Sequence, residues 1–99
     1  MKTKILGLEP AFELASILSK HIDVEKLNPN QDALEFISSV LDKLTPAEYL
    51  HCVKLLTDKE EEDVKKQNSL DILAAFIEGL RANRVVGLIG FYRSIGLNG

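Results

Sequence analysis

The three prolines of this chain, Pro10, Pro29 and Pro46, each stand at the opening of an apolar stripe with helical spacing. Proline fits the first turn of a helix, where its missing N–H would have no partner, and breaks the interior. The three positions therefore mark three helix starts. After Glu9-Pro10, the residues Ala11, Leu14, Ala15, Leu18 and Ile22 recur at spacings of three and four, with Phe12 widening the stripe. Glu13, Ser16, Ser19 and Lys20 fall mostly on the other side, and this helix is expected to end near Ile22. In Asn28-Pro29-Asn30-Gln31, Asn28 caps, Pro29 takes the first helical position, and Gln31 reaches back to the cap. Leu34, Ile37, Leu41 and Leu44 then form the core face, with Ala33 and Val40 alongside. Thr45-Pro46-Ala47-Glu48 repeats the capping logic, ending the second helix and beginning the third with almost no loop. Tyr49, Leu50, Val53 and Leu56 are the expected buried residues of that third helix.

The run Asp58-Lys59-Glu60-Glu61-Glu62-Asp63, continued by Val64-Lys65-Lys66-Gln67, reads as a solvated acidic connector over 58–67, a helical turn or loop. Thr57 with Glu60 would cap such a turn, and Val64 alone could anchor it. Asn68-Ser69-Leu70-Asp71 opens a further helix with Leu70, Leu73, Ala74, Ile77 and Leu80 on one face and Phe76 broadening it. Arg81-Ala82-Asn83-Arg84 ends it, placing cations where they meet exposed carbonyls. Segment 85–97 reads as a short helix closed by Gly96, in preference to an extended arm, although Gly87 and Gly90 each cost about 1 kcal/mol relative to alanine. The fold expected is all-α, a single-domain bundle of four or five short helices spanning 1–99.

Composition narrows the function. Apolar residues make up 45% of the chain, enough to bury a core. With 12 Lys and Arg against 15 Asp and Glu, the net charge is −3, which argues against a general phosphate binder. One Cys gives no disulfide framework and points to a reducing compartment. The apolar run Ile5-Leu6-Gly7-Leu8 stops at Glu9-Pro10, short of the roughly 7–15 residues of a secretory core. Val85 to Tyr92 is the stretch without charge between Arg84 and Arg93, well below the roughly 20 residues that span a bilayer. A soluble protein of the cytoplasm with no membrane partner is expected.

Catalytic and metal-binding patterns are missing. His51 and Cys52 are neighbours, so on a helix they diverge by about 100° and chelate one ion poorly. Neither Cys-x-x-Cys nor His-x3-His occurs, and the phosphate-loop pattern is absent. Cys52 as nucleophile with His21 as base has no support beyond the residue types, and a lone Cys on an apolar helix is more often a small buried hydrophobe. Gly87-Leu88-Ile89-Gly90 spells Gly-x-x-Gly, but RNA-clamping loops of that form usually place polar residues between the glycines. No enzyme, cofactor or metal is expected. A helix-turn-helix DNA reader built on the Leu44-Thr45-Pro46 corner would have only His51 and Lys54 as groove contacts, directly ahead of the acidic run.

The C-terminal segment is the unusual part. From Arg81 to Gly99 there are three arginines and no acid, so it carries +3 and leaves −6 on residues 1–80. A segment so apolar and glycine-punctuated takes its order from packing, on its own core or on a partner. In the first case Leu88, Ile89, Phe91 and Ile95 complete the core. In the second, Leu88, Phe91, Tyr92 and Ile95 form a docking face with Arg84 and Arg93 at its rim.

A small, acidic, mostly helical chain ending in Val85-Val86-Gly87-Leu88-Ile89-Gly90-Phe91-Tyr92-Arg93-Ser94-Ile95-Gly96-Leu97 resembles the tail assembly chaperones of long-tailed bacteriophages. The resemblance lies in the overall plan and in the stretch from roughly Leu70 to Leu97. It implies a non-enzymatic protein of the bacterial host cytoplasm, absent from the mature virion. Such a protein holds the tape-measure protein soluble while tail-tube subunits polymerise around it, and its family is typically made as a short form and a frameshifted longer form. The physics is compatible, since a helical cofactor can cover the apolar face of a long helical client. The alternatives are a small helical adaptor or oligomerisation module, including a homo-oligomer, and then the DNA-binding regulator.

Overall fold

The computed structural model describes residues 1–22 and 33–98. Its elements are all helices: α1 (Leu8–Ser19), α2 (Ala33–Leu41), α3 (Pro46–Leu56), α4 (Glu61–Lys65), α5 (Ser69–Ala82) and α6 (Val85–Asn98). The all-α expectation holds, but the described residues form six helices rather than four or five. The acidic connector contributes a helix of its own: α4 is a single turn whose Val64 is fully buried while Glu62 and Asp63 are exposed and Glu61 is half-buried. The proposed start at Asn28-Pro29-Asn30-Gln31 lies outside the described residues.

Where a polar side chain competes for the first backbone N–H groups, the starts come out as read. At α3 the Thr45 hydroxyl accepts from the Glu48 N–H at 3.1 Å while the Glu48 carboxylate accepts from the Thr45 N–H at 2.9 Å. At α5 the Asn68 side-chain oxygen accepts from the Leu70 N–H at 2.7 Å. Other boundaries differ, beginning with α1, which starts at Leu8 just ahead of Glu9-Pro10, with Gly7 at the cap and no side-chain bond. Helix α1 stops at Ser19, and the chain to Ile22 continues in the tighter turns His21 N–H to Leu18 O and Ile22 N–H to Ser19 O. Helix α2 stops at Leu41, so a four-residue turn, not a near-direct junction, precedes α3. Thr57 does not cap α4: it is buried and donates its hydroxyl back to Val53 O at 2.8 Å, leaving Glu60 at the cap position without a side-chain bond.

The core draws on every helix, with Leu14, Leu18, Phe36, Leu56, Phe76 and Ile89 among its members. On α1 the buried stripe is the expected Ala11, Leu14, Ala15 and Leu18, joined by Ser19, whose hydroxyl donates to Ser16 O at 3.2 Å. The faces of α2 and then α5 are rotated from their sequence reading, and that of α3 is shifted in part. On α2 the inward residues are Phe36, Ile37 and Val40, while Leu34 is exposed. On α3, Cys52 joins Val53 and Leu56 inside, and Tyr49 and Leu50 are half-buried. On α5 they are Ala75, Phe76, Gly79 and Leu80, while Leu70 and Ala74 face out. Gly79 explains the second rotation. A Cβ at this position would lie 3.0 Å from the Cβ, Cδ1 and Cδ2 of Leu56, so α3 and α5 approach across a residue with no side chain. The close-approach face becomes the inner one, and larger apolar residues elsewhere on the helix turn outward.

The N-terminal residues form an extended strap rather than a helix. Lys4 N–H donates to Leu56 O at 3.0 Å, and Thr3 pairs with Thr57 in an isolated antiparallel bridge. Asn83, between α5 and α6, clamps this strap: its amide donates to Lys4 O at 3.0 Å and Gly79 O at 2.8 Å, and its oxygen accepts from the Leu6 N–H at 2.8 Å. Arg84 then takes a left-handed backbone, φ 49°, which reverses the chain into α6. Helix α6 runs on through Gly96 to Asn98, so Gly96 is not its C-cap.

Candidate partner-binding surface

Helices α1 and α6, from opposite ends of the chain, form one of its broadest packing seams. Leu6 is bonded to Asn83 just ahead of α6, and Phe12 meets Phe91 and Tyr92, so the two helices start together and run in the same direction. The Phe12 ring centroid is 6.2 Å from that of Phe91 and 5.8 Å from that of Tyr92, both tilted pairs within the attractive range.

This seam divides the C-terminal segment between the two roles read from its sequence. Val85, Val86 and Ile89 are buried, and Leu88 and Tyr92 pack half-buried against the core. Phe91 and Ile95, the other two residues of the core reading, are 57% and 45% exposed. They are corrected to the outer face, because α6 turns residues 85, 89 and 92 inward and those at 91 and 95 lie off that stripe. Of the six candidate docking residues, Phe91 and Ile95 are thus presented outward, with Leu88 and Tyr92 forming their base. Arg84 is exposed at the start of α6, and Arg93 is half-buried with its Nε shielded and without a hydrogen-bond partner among the described residues.

Sequence reasoning missed the other half of this surface. Leu8, 68% exposed, lies one turn before Phe12 on the same face of α1, and Phe12 is the residue that meets Phe91. Ile5, on the strap leading into α1, is 70% exposed. Nothing local could have paired Phe12 with Phe91, since they come together only through tertiary packing.

A second apolar surface lies elsewhere. The corner between α2 and α3 and the first turns of α5 enclose an open groove of about 470 Å³ lined by Leu41, Leu44, Pro46, Tyr49, Leu70 and Leu73. It shares no residue with the α1–α6 ridge. Leu70, on its wall, is 72% exposed.

The polar groups that could support chemistry are engaged structurally. His21 Nε2 lies 3.0 and 3.1 Å from the two carboxylate oxygens of Glu48. The Thr45 backbone N–H, followed by His21, holds the Glu48 carboxyl down to about 2. His51 pairs with Glu13 at 2.6 Å, so these two contacts tie α1 and its following turn to α3. Cys52 is fully buried, and burial together with the Glu48 charge pushes its thiol up to about 12. His21 therefore faces the Glu48 carboxylate, and a thiol pushed up by burial is the opposite of what a nucleophile needs. The two α3 side chains that a DNA reader would use, His51 and Lys54, lie 2.6 Å from Glu13 and 3.7 Å from Glu60. Among the described residues no three His, Cys, Asp or Glu side chains converge to hold a metal ion, and no helix is long and apolar enough to cross a membrane. Comparison with known proteins finds no matching family model, no matching curated protein and no matching solved structure.

Proposed function

We propose that this protein acts by contact with another polypeptide, as a tail assembly chaperone that covers apolar helical segments of a phage tape-measure protein while tail-tube subunits assemble. The observation that carries the reading is the outward presentation of Phe91 and Ile95, with Phe91 set against Phe12. These side chains have a packed base and an unpacked top, as expected of a docking ridge for an amphipathic helix. Apolar contacts supply affinity, and the acidic remainder of the chain keeps the complex in solution. The cytoplasm of the bacterial host is the compartment this role requires.

Co-expression with a tape-measure protein tests it. Phe91→Asp, at an exposed position, should retain helix content and lose co-purification of the client. Retained co-purification by the folded variant refutes the assignment. The runner-up, a helical adaptor or oligomerisation module, draws support from the second apolar groove at the α2–α3 corner.

A further inference from the structure

Among the described residues Arg84 is the one non-glycine residue with a positive φ, 49°, and it stands where α6 begins: its carbonyl accepts from the Leu88 N–H at 3.0 Å. Left-handed backbone is strained for a residue with a Cβ and persists only where the surroundings over-determine it. Arginine also has no acceptor to offer the first N–H groups of the helix. The helix it opens is weak on its own. Gly87 and Gly90 interrupt it with open space where a Cβ would stand, and its first turn holds no acid. Its order therefore comes from packing, and it packs more extensively on α1 than on any other helix.

What holds Arg84 in place is the N-terminal strap acting through Asn83. The Asn83 side chain grips Gly79 O of α5 at 2.8 Å, and it grips the strap at Lys4 O and the Leu6 N–H, at 3.0 and 2.8 Å. The strap is fastened to α3 by the Lys4 N–H on Leu56 O, and it leads through Gly7 directly into α1. It therefore fixes both partners of the seam at once, the start of α1 and the turn into α6. We infer that the strap is a latch on α6. While it is seated, Arg84 keeps its strained conformation and α6 lies on α1. When it lifts, Arg84 relaxes, and the strap and α6 leave together while α3 and α5 stay folded. Opening uncovers the buried Val85, Val86 and Ile89, which keeps the latched state the populated one. It also parts Phe12 from Phe91 and Tyr92, so the strap gates the surface between α1 and α6. The consequence for a client rests on the function proposed above; the latch itself does not.

Residue-by-residue amide exchange of the full chain tests it, with no client present. In the unmodified protein the slowest amides of α6 should exchange together with the bonded amides of Lys4 and Leu6, and faster than the slowest amides of α3 and α5. Two variants then loosen the strap from its own side, far in sequence from α6. Leu6→Pro removes the N–H that Asn83 accepts, and Lys4→Pro removes the N–H that Leu56 accepts. Each should speed exchange throughout α6 by about tenfold, the factor that one lost hydrogen bond commands. The strap, read at the remaining amide of the pair, should speed by the same factor. Should Leu6→Pro lose helix content, Lys4→Pro carries the experiment alone. Three results overturn the inference. One is an α6 in the unmodified protein as slow to exchange as α3 and α5, which would mean it has no opening of its own. Another is a strap that speeds while α6 does not, and the third is a strap whose exchange neither variant changes. Client binding is a separate measurement: Phe91→Asp that keeps its client sinks the proposed function and leaves the latch standing, whereas an α6 indifferent to the strap sinks the latch alone.

Discussion

Replacing Gly79 with alanine places a methyl group against Leu56 at the crossing of α3 and α5. The new carbon would lie 3.0 Å from three Leu56 carbons. Comfortable carbon contacts are about 3.5–4.0 Å, so each is short by about half an ångström or more. The Leu56 Cδ atoms can rotate away, but its Cβ is fixed to the α3 backbone, so the helices themselves must part. Overpacking of this kind costs about 1–3 kcal/mol, while exchanging glycine for alanine in a helix returns about 1 kcal/mol. The net expectation for Gly79→Ala is a destabilisation of about 1 kcal/mol, or roughly 4–8 °C in Tm for a chain of this size. Gly87 and Gly90 provide the control, because a Cβ at either meets nothing within 4 Å. Each alanine there should stabilise by up to about 1 kcal/mol. Urea unfolding followed by far-ultraviolet circular dichroism reads all three variants on one scale. A Gly79→Ala protein as stable as Gly87→Ala would refute the close-approach account of how α5 chooses its inner face.

Asn83→Ala removes two hydrogen bonds to the strap and a third that anchors the amide to Gly79 of α5, and should cost about 1–3 kcal/mol, with residues 1–7 gaining protease sensitivity and faster amide exchange. Asn83→Asp, which cannot donate, should show most of the same effect. Cys52 should resist alkylation near neutral pH because its thiol is buried and raised to about 12, and should react only as fast as the chain opens; rapid labelling of the native protein would contradict its placement. Glu48 titrates near 2 in the folded chain against an ordinary 4.5, so its contribution is fully present above 4.5 and is lost as pH falls from 4.5 towards 2. The stability difference between the parent protein and Glu48→Gln should therefore shrink over that acid window, and a difference that stays constant would exclude the Thr45 and His21 contacts as its cause.

Local signals proved legible where one or two neighbouring side chains decide the outcome. Thr45 and Glu48 close their reciprocal cap, Asn68 caps α5, and the stripe of α1 is buried almost as spaced. Val64 as the lone anchor of the acidic turn was also visible, because one apolar residue in such a run has nowhere else to go. The rotated faces of α2 and α5 were not legible. Leu34 and Leu70 belong to sound helical stripes, and only the packing partners decide that Phe36 and Gly79 point inward instead.

The sequence by itself determined that this chain is helical and where several of its helices begin, since proline geometry, capping side chains and apolar period act over three or four residues. It also separated the acidic body from a basic, apolar C-terminal helix. Only the tertiary structure decided which residues of that helix remain outside. Burial of Val85 and Ile89 on one side leaves Phe91 and Ile95 on the other, and Phe12 meets Phe91 from the far end of the chain. A surface made by two chain ends meeting depends on contacts some eighty residues apart, and no periodicity read along the sequence carries that distance.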